Sequence, residues 1–568
     1  MSFVRRLVID ACYRCTDRFL EIRRCMTSPI YRKNQHARKH DLNQLRKVVG
    51  TWGRRAIPGI DEKKMFGIMS FSDIPLHVKF HGMMAKATQL KGYTPIIFTV
   101  NRPYARKCFN LFGIKHLIDW VDFIRGLDLS PDEIHRIASD LLGDNITVPR
   151  VMDLEFHGVD IGKQALSMTC RKRVEGKLDL SDKETFQLLY QQVFDAVTNV
   201  LAAEEFFDRY PLKKLLVRDS GYIPNGPIYE VALKRGIDCI IVERGVRRSS
   251  WVFKRYTVET RRRNPFSLSS ETWEEIKQHK WTKDLDGKLE AEFKERYEPN
   301  SENDMRRLQA GKKIWPTSEV QRELGLDSSK KTVIVFSHVA WDACFFYGKG
   351  LFNEFEDWLY QTVAFAKDHG SQLNWIVKIH PGNVYKLQRE TVDDTSEMRL
   401  LKPLFPFPDH IKIVHPDTDI NTRSLFGLAD YILSCQGTVG MEFPCHGVPA
   451  VIAGSGNYSG RGFTVEPRTK EAYFETLMNI DAIPPMDEQS IELARKYFYF
   501  LIRGRQLMFN DVAPMKLPSV NDAKSDVDEN LELTAKSLEE FRGSDSIKMI
   551  SDWLAESSKE DIIDWRQI

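Results

Sequence analysis

Short apolar runs alternate with longer amphipathic stretches through most of the chain, the pattern of strands and helices taking turns in a parallel sheet. Residues 65–69 read as a strand and 70–75 as a loop. Residues 76–90 read as a helix that Gly92 closes, and 95–100 as the next strand. A further short βα element is expected over 109–118. Ser130-Pro131-Asp132-Glu133 is a capping box with proline at the first helical position, so a helix starts there. A long amphipathic helix over 185–208 feeds a strand at 214–217 and the loop Arg218-Asp219-Ser220-Gly221. A helix over 228–234 and a strand over 239–242 follow.

The pattern changes at residue 256. Up to 330 the chain is charged and mostly helical, with Trp273, Ile276 and Trp281 as anchors and Ser318-x-x-Gln321 as a second capping box. A new α/β stretch then opens with the strand 332–336, which ends in Ser337-His338-Val339-Ala340-Trp341-Asp342. A helix is expected over 352–369. The strand 375–379 ends in His380-Pro381-Gly382-Asn383, and 411–414 ends in His415-Pro416-Asp417. Residues 428–463 hold the densest signal. There a strand at 431–434, the turn Gln436-Gly437-Thr438-Val439-Gly440, a helical turn or two, and a strand at 450–453 make a βαβ unit. Helices over 471–480 and 491–508 cross back to the first domain, and the polar, acidic remainder holds helices near 531–541 and 547–553. No repeat at solenoid spacing is present.

The fold class expected is therefore α/β, with two Rossmann-like doubly wound domains facing a cleft and helical extensions at both ends. The expected divisions are a basic helical extension (1–60), an acceptor-side α/β domain (61–255) and a helical bridge (256–330). A nucleotide-sugar α/β domain (331–480) and C-terminal helices with an acidic tail (481–568) complete the chain. A length of 568 residues suits such a division.

Composition changes this picture only at the ends. Residues 1–55 hold fourteen Lys and Arg against four Asp and Glu, whereas 522–566 hold thirteen acids and six bases. The two ends can meet, or the basic end can face anionic lipid at the inner membrane surface. Phe3, Val4, Leu7, Val8 and Ala11 share one helical face, which fits either a membrane-surface helix or one packed on the next domain. No aromatic-rich module accompanies the basic residues, so nucleic acid is not an expected partner. Nine scattered cysteines, with Cys12-x-x-Cys15 lacking a second pair, predict no metal site and fit a reducing cytoplasm. No apolar stretch reaches the roughly 20 residues that span a bilayer, so a cytoplasmic protein, soluble or peripheral at the membrane, is expected.

Ligands of open α/β sheets bind outside the carboxyl ends of the strands. The polar groups at those ends are Asp73 with His77 or His81, Asp219, Ser337-His338, Lys378 with His380, and Gln436 to Gly440. Glycines at a helix mouth let backbone N–H groups approach an anion, and Glu442, one turn on, can accept hydrogen bonds from ribose hydroxyls. Each has a plainer alternative. Asp73 can cap the following helix, His81 can be buried against the sheet, and His338 can be held by backbone. Trp341 and Tyr347 can be core residues. Two facing domains with nucleotide on one side and acceptor on the other make the architecture of GT-B glycosyltransferases.

Ser337-His338, Lys378-Ile379-His380-Pro381 and Gln436-Gly437-Thr438-Val439-Gly440-Met441-Glu442 resemble motifs of the capsule polysaccharide biosynthesis family, which includes Kdo transferases. The layout is also similar to bacterial GT-B sialyltransferases. The resemblance covers about 331–465 well and the first domain loosely. It implies transfer of a sugar from a nucleotide-sugar donor, with no cofactor, to a surface polysaccharide or its lipid-linked glycan acceptor. It places His380-Pro381 against a nucleotide phosphate. Asp219-Ser220-Gly221 stands where the relatives carry an acidic-acidic-glycine motif with the catalytic base, Ser220 replacing the second acid. The expected roles are Asp219, then Asp73 and His81, as base. The expected donor-site residues are Ser337, His338, Lys378, His380, Pro381, Gln436, Gly437, Thr438, Gly440 and Glu442. No DxD-like pair follows a strand, which favours a metal-independent reaction. Alternatives are glycerol phosphate transfer from CDP-glycerol, a sugar-nucleotide epimerase, and a non-catalytic scaffold of capsule assembly.

Overall fold

The computed structural model describes residues 29–568 apart from 101–102, 145, 248, 300, 302–307, 343–344, 348–349, 383–394 and 517–528. The helix expected at the extreme N-terminus, the Asn383 end of the His380 loop, and the start of the acidic tail lie outside these residues. The chain divides into two compact units, 1–121 with 509–556, and 122–508 with 557–568. Among the described residues no helix is long and apolar enough to cross a membrane.

The first unit is a βαβαβ arrangement. Strands β1 (Asp61–Ser70), β2 (Tyr93–Thr99) and β3 (His116–Asp119) run parallel in that order, joined by helices Pro75–Gln89 and Pro103–Leu111. Segments from the N-terminal and C-terminal parts of the chain meet within this unit. Trp52 donates its indole N–H to the Ala535 carbonyl at 2.9 Å and stacks on Phe541. Asp41, on the helix Pro29–Val49, accepts from Lys79 and Asn530 at 2.5 Å each, and Lys79 also reaches the Leu531 carbonyl. A buried lysine and carboxylate are tolerated because each meets the other and further polar partners.

The second unit holds two sheets. Strands β4 (Lys214–Val217) and β5 (Asp238–Arg244) are parallel. Strand β6 (Ser250–Tyr256), absent from the sequence reading, pairs antiparallel with β5. The other sheet is wholly parallel, built from β7 (Thr332–Phe336), β8 (Asn374–Lys378), β9 (Ile411–Val414), β10 (Tyr431–Ser434) and β11 (Ala450–Ile452). Its spatial order is β9-β8-β7-β10-β11. Strand order thus reverses between β7 and β10, the switch point at which doubly wound sheets open a crevice. Alternate residues explain why the runs are apolar throughout. Val333, Val335, Trp375, Val377 and Leu433 pack into one core, and Ile334, Phe336, Ile376 and Ile432 into the other.

The helix Glu488–Tyr499 continues as a π-helical turn, Phe500–Gly504, into β12 (Leu507–Met508). That strand pairs antiparallel with β6 at Ser250 and Trp251, so the chain does cross back to the first sheet of this unit. The capping box at Ser130 forms, its hydroxyl accepting from Glu133 N at 3.3 Å. The one expected at Ser318 does not form. Pro316 is the cap residue and the helix begins at Thr317, which places Ser318 inside the first turn.

Candidate functional site

At the switch point of the parallel sheet lies a cavity of about 410 Å³, an ordinary size for a small-molecule site. Of the predicted donor-side residues, Ser337, His338, Lys378, His380, Pro381, Gln436, Gly437, Thr438 and Glu442 all line it. They come from the ends of β7, β8 and β10, brought together by strand order although they are about 100 residues apart in sequence.

The Gly-rich turn is held from below. His338 Nε2 accepts the N–H groups of Cys435 and Gln436 at 3.1 and 3.2 Å, and its ring stacks on Phe355 at 4.5 Å. Burial lowers its pKa to about 4, so the ring stays neutral and its acceptor nitrogen stays available to the turn. Gly440 does not line the cavity. A Cβ there would meet the Tyr458 hydroxyl at 2.0 Å, and that hydroxyl donates to the Gly437 carbonyl at 2.9 Å. Glycine is therefore required at 440 for close packing. The helix after the turn is a single turn, Val439–Glu442, followed by the 3-10 turn Pro444–His446. Its dipole is correspondingly small.

Two basic groups face the same space. Lys378 is 2% exposed, with its ammonium on the Ile379 carbonyl at 3.1 Å. Burial, and then the neighbouring Lys312, lower its pKa to about 7 against the opposing pull of Asp417. His380 is positioned by its own N–H on Ser337 Oγ at 2.9 Å, and its Nδ1 accepts from Gly382 N at 3.0 Å. A neutral ring in that arrangement carries its proton on Nε2. Glu442 is 1% exposed and accepts from Arg296 at 2.8 Å and from the Tyr297 hydroxyl. A ribose hydroxyl bound at Glu442 would share the carboxylate with these two donors.

The predicted base residues are dispersed. Asp219 follows β4 in the second unit at φ +56°, a left-handed conformation that costs an aspartate of order 1 kcal/mol. Its N–H donates to Glu243 at 2.8 Å, and its carboxylate faces Arg171 at 3.9 Å. The adjoining Tyr222 hydroxyl donates to Asp342 at 2.5 Å, and Ser220 is 3.4 Å from the Tyr347 hydroxyl. Asp342 and Tyr347 line the cavity, so Asp219 is tied to its rim through these neighbours. Asp73 and His81 belong to the first unit. Asp73 pairs with Arg38 at 3.1 Å and does not cap the following helix, whose cap residue is Ile74. His81, 2% exposed, holds Ser70 Oγ at 2.8 Å.

Glu243 was missed. Burial and then the charge of Asp219 push its carboxyl up to about 7, with Arg218, 3.8 Å away, opposing. Its position at the carboxyl end of a predicted strand was the available signal. Arg296 and Tyr297 were missed for a different reason: they come from the helix Lys283–Tyr297, which no strand-end rule selects.

No protein-family model and no curated protein matches the sequence. Among solved structures the chain is similar to the Thermosulfurimonas dismutans KpsC β-Kdo 2,4 transferase, at 13% identity and TM-score 0.31 over 50% of this chain and 87% of that one. It is similar to the β-Kdo 2,7 transferase of the same protein, at 16% identity and TM-score 0.29 over 58% and 86%. It is also similar to Anabaena HepE in complex with UDP-glucose, at 10% identity and TM-score 0.25 over 77% and 94%. All three scores are below one-half, too low to transfer a residue role or an activity from those proteins to this chain.

Proposed function

We propose that the chain is a glycosyltransferase that passes a sugar from a nucleotide-sugar donor to an acceptor hydroxyl. The observation that carries this reading is the cavity at the β7/β10 switch point, where a buried lysine, a histidine and a Gly-rich turn converge. In the reaction the bond between the anomeric carbon and the phosphate oxygen breaks as the acceptor oxygen bonds to that carbon. Negative charge grows on the departing phosphate. The Lys378 ammonium and the His380 Nε2–H are the groups to stabilise it, in a partly enclosed space where such contacts are worth more than in water. The acceptor proton goes to a carboxylate. Asp219, or Asp342 on the cavity wall, takes it, with Glu243 adjusting the local charge. The motif resemblance makes a surface polysaccharide or its lipid-linked precursor the acceptor class to try first.

The test is a thermal-shift screen against CMP, CDP, UDP, GDP and their sugar conjugates, followed by product analysis with the stabilising donor. A ligand that binds only the folded state raises Tm. His380→Ala should lower kcat/KM by about a hundredfold with Tm nearly unchanged. No stabilisation by any nucleotide, or normal turnover in that variant, would overturn the reading.

A further inference from the structure

A second cavity, of about 480 Å³, adjoins the first and shares Asn264 and Asn457 with it. One wall is the stretch 262–270, and the other is the loop 455–461 that follows β11, rich in glycine and serine. The lining includes three guanidinium groups, Arg262, Arg263 and Arg461, with Glu259 as its carboxylate. Two of the three have counter-charges. Arg262 pairs with Asp160, and Arg263 lies 3.6 Å from Glu560.

Arg461 differs. It is half-buried, donates Nη2 to the Leu268 carbonyl at 2.5 Å, and lies over the Trp273 ring at 5.9 Å. The side chain is thus fixed in place, yet it pairs with no carboxylate among the described residues. The nearby Glu466 is turned to Gly460 N and to Thr464 instead. A half-buried cation held in position without a counter-charge keeps part of its desolvation cost, and an anionic ligand removes it. Ser270 and Ser459 line the same cavity with hydroxyls suited to the remaining oxygens of such a ligand.

We infer that this second cavity binds an oxyanion, phosphate or carboxylate, carried by the acceptor substrate. This rests on the donor reading of the first cavity: the two cavities share Asn264 and Asn457 as walls, so an acceptor anchored by its charge at Arg461 lies beside the donor site.

The experiment is calorimetric titration of the full chain with glucose 6-phosphate, glucuronate and neutral glucose, with nucleotide titrated into the same samples. The expected result is saturable binding of one or both acids, weakened at least tenfold in Arg461→Gln and in the exposed-site variant Arg263→Gln, with glucose not binding and nucleotide affinity unchanged. Tighter binding of the phosphate identifies a phosphorylated acceptor, and of glucuronate a carboxylated one. Glucose binding equal to that of the acids, or acids binding equally to wild type and both variants, would overturn the inference. Should Arg461→Gln unfold, Arg461→Lys and Arg263→Gln supply the comparison. Acid binding without nucleotide binding would keep the anion site and remove the donor reading, whereas nucleotide binding without acid binding would do the reverse.

Discussion

At the scale of single residues, Lys378 gives the sharpest handle. Its pKa stands near 7 in the folded chain, against an ordinary 10.5. Between those values the unfolded chain holds the proton more firmly, so this residue costs stability there, and its contribution improves as pH rises from 7 towards 10.5. A bound phosphate reverses the preference and draws a proton onto the amine. Nucleotide affinity should therefore fall as pH rises through 7 to 9, by at most about tenfold per pH unit, with proton uptake seen when buffers of different ionisation enthalpy are compared. In Lys378→Met the affinity should be weaker and this slope absent. An unchanged slope in the variant would show that another group titrates. Gly440 teaches a complementary lesson. In sequence it reads as a backbone donor for an anion, but its missing side chain instead makes room for Tyr458. A one-dimensional motif records that a glycine is needed without recording which neighbour needs it.

At the scale of elements, the loop after β7 and the turn after β10 are joined through one ring. His338→Ala would leave the N–H groups of Cys435 and Gln436 without their acceptor. The expected cost is about 2–3 kcal/mol in a denaturant titration. His338→Gln, which can offer a side-chain oxygen, should recover part of it, and equal losses in both would argue against the acceptor role. Much at this scale was legible. The apolar runs of β7, β8 and β10 locate those strands because parallel strands inside a sheet are covered on both faces. The strand ends in turn located one wall of the cavity. β6 was not legible, since Lys254 and Arg255 interrupt its apolar run, and they are buried only because Lys254 pairs with the distant Asp561 and Arg255 with Asp238 on the neighbouring strand. The capping box at Ser318 misled for a related reason, because a proline two residues earlier already sets the start of the helix.

At the scale of the whole molecule, long-range ionic ties complete the second unit. Asp561 accepts from Lys254 at 2.9 Å, from Arg505, and from Ser269 N at 2.6 Å, with all three charged side chains fully buried. Burial alone would raise the carboxyl, but Arg505 and Lys254 outweigh it and hold it well below the usual range. Its stabilising effect is therefore present at neutral pH and is lost only in strong acid. Asp561→Asn should cost about 3–5 kcal/mol, because two buried cations lose their shared partner, and a melting curve near neutral pH would register it. A loss under 1 kcal/mol would show that the cations find other partners. This tie is beyond sequence reading, as nothing local marks Asp561 among the thirteen acids of its segment.

The same tie has a consequence for how the protein is made. Ser269 sits in the stretch that walls the second cavity and adjoins residues of the first, yet the carboxylate that secures it is 292 positions later. During synthesis, when the β7–β11 sheet has already left the ribosome, that wall still lacks its fastener. A nascent chain that has not yet reached Asp561 therefore carries both cavities with one side unsecured.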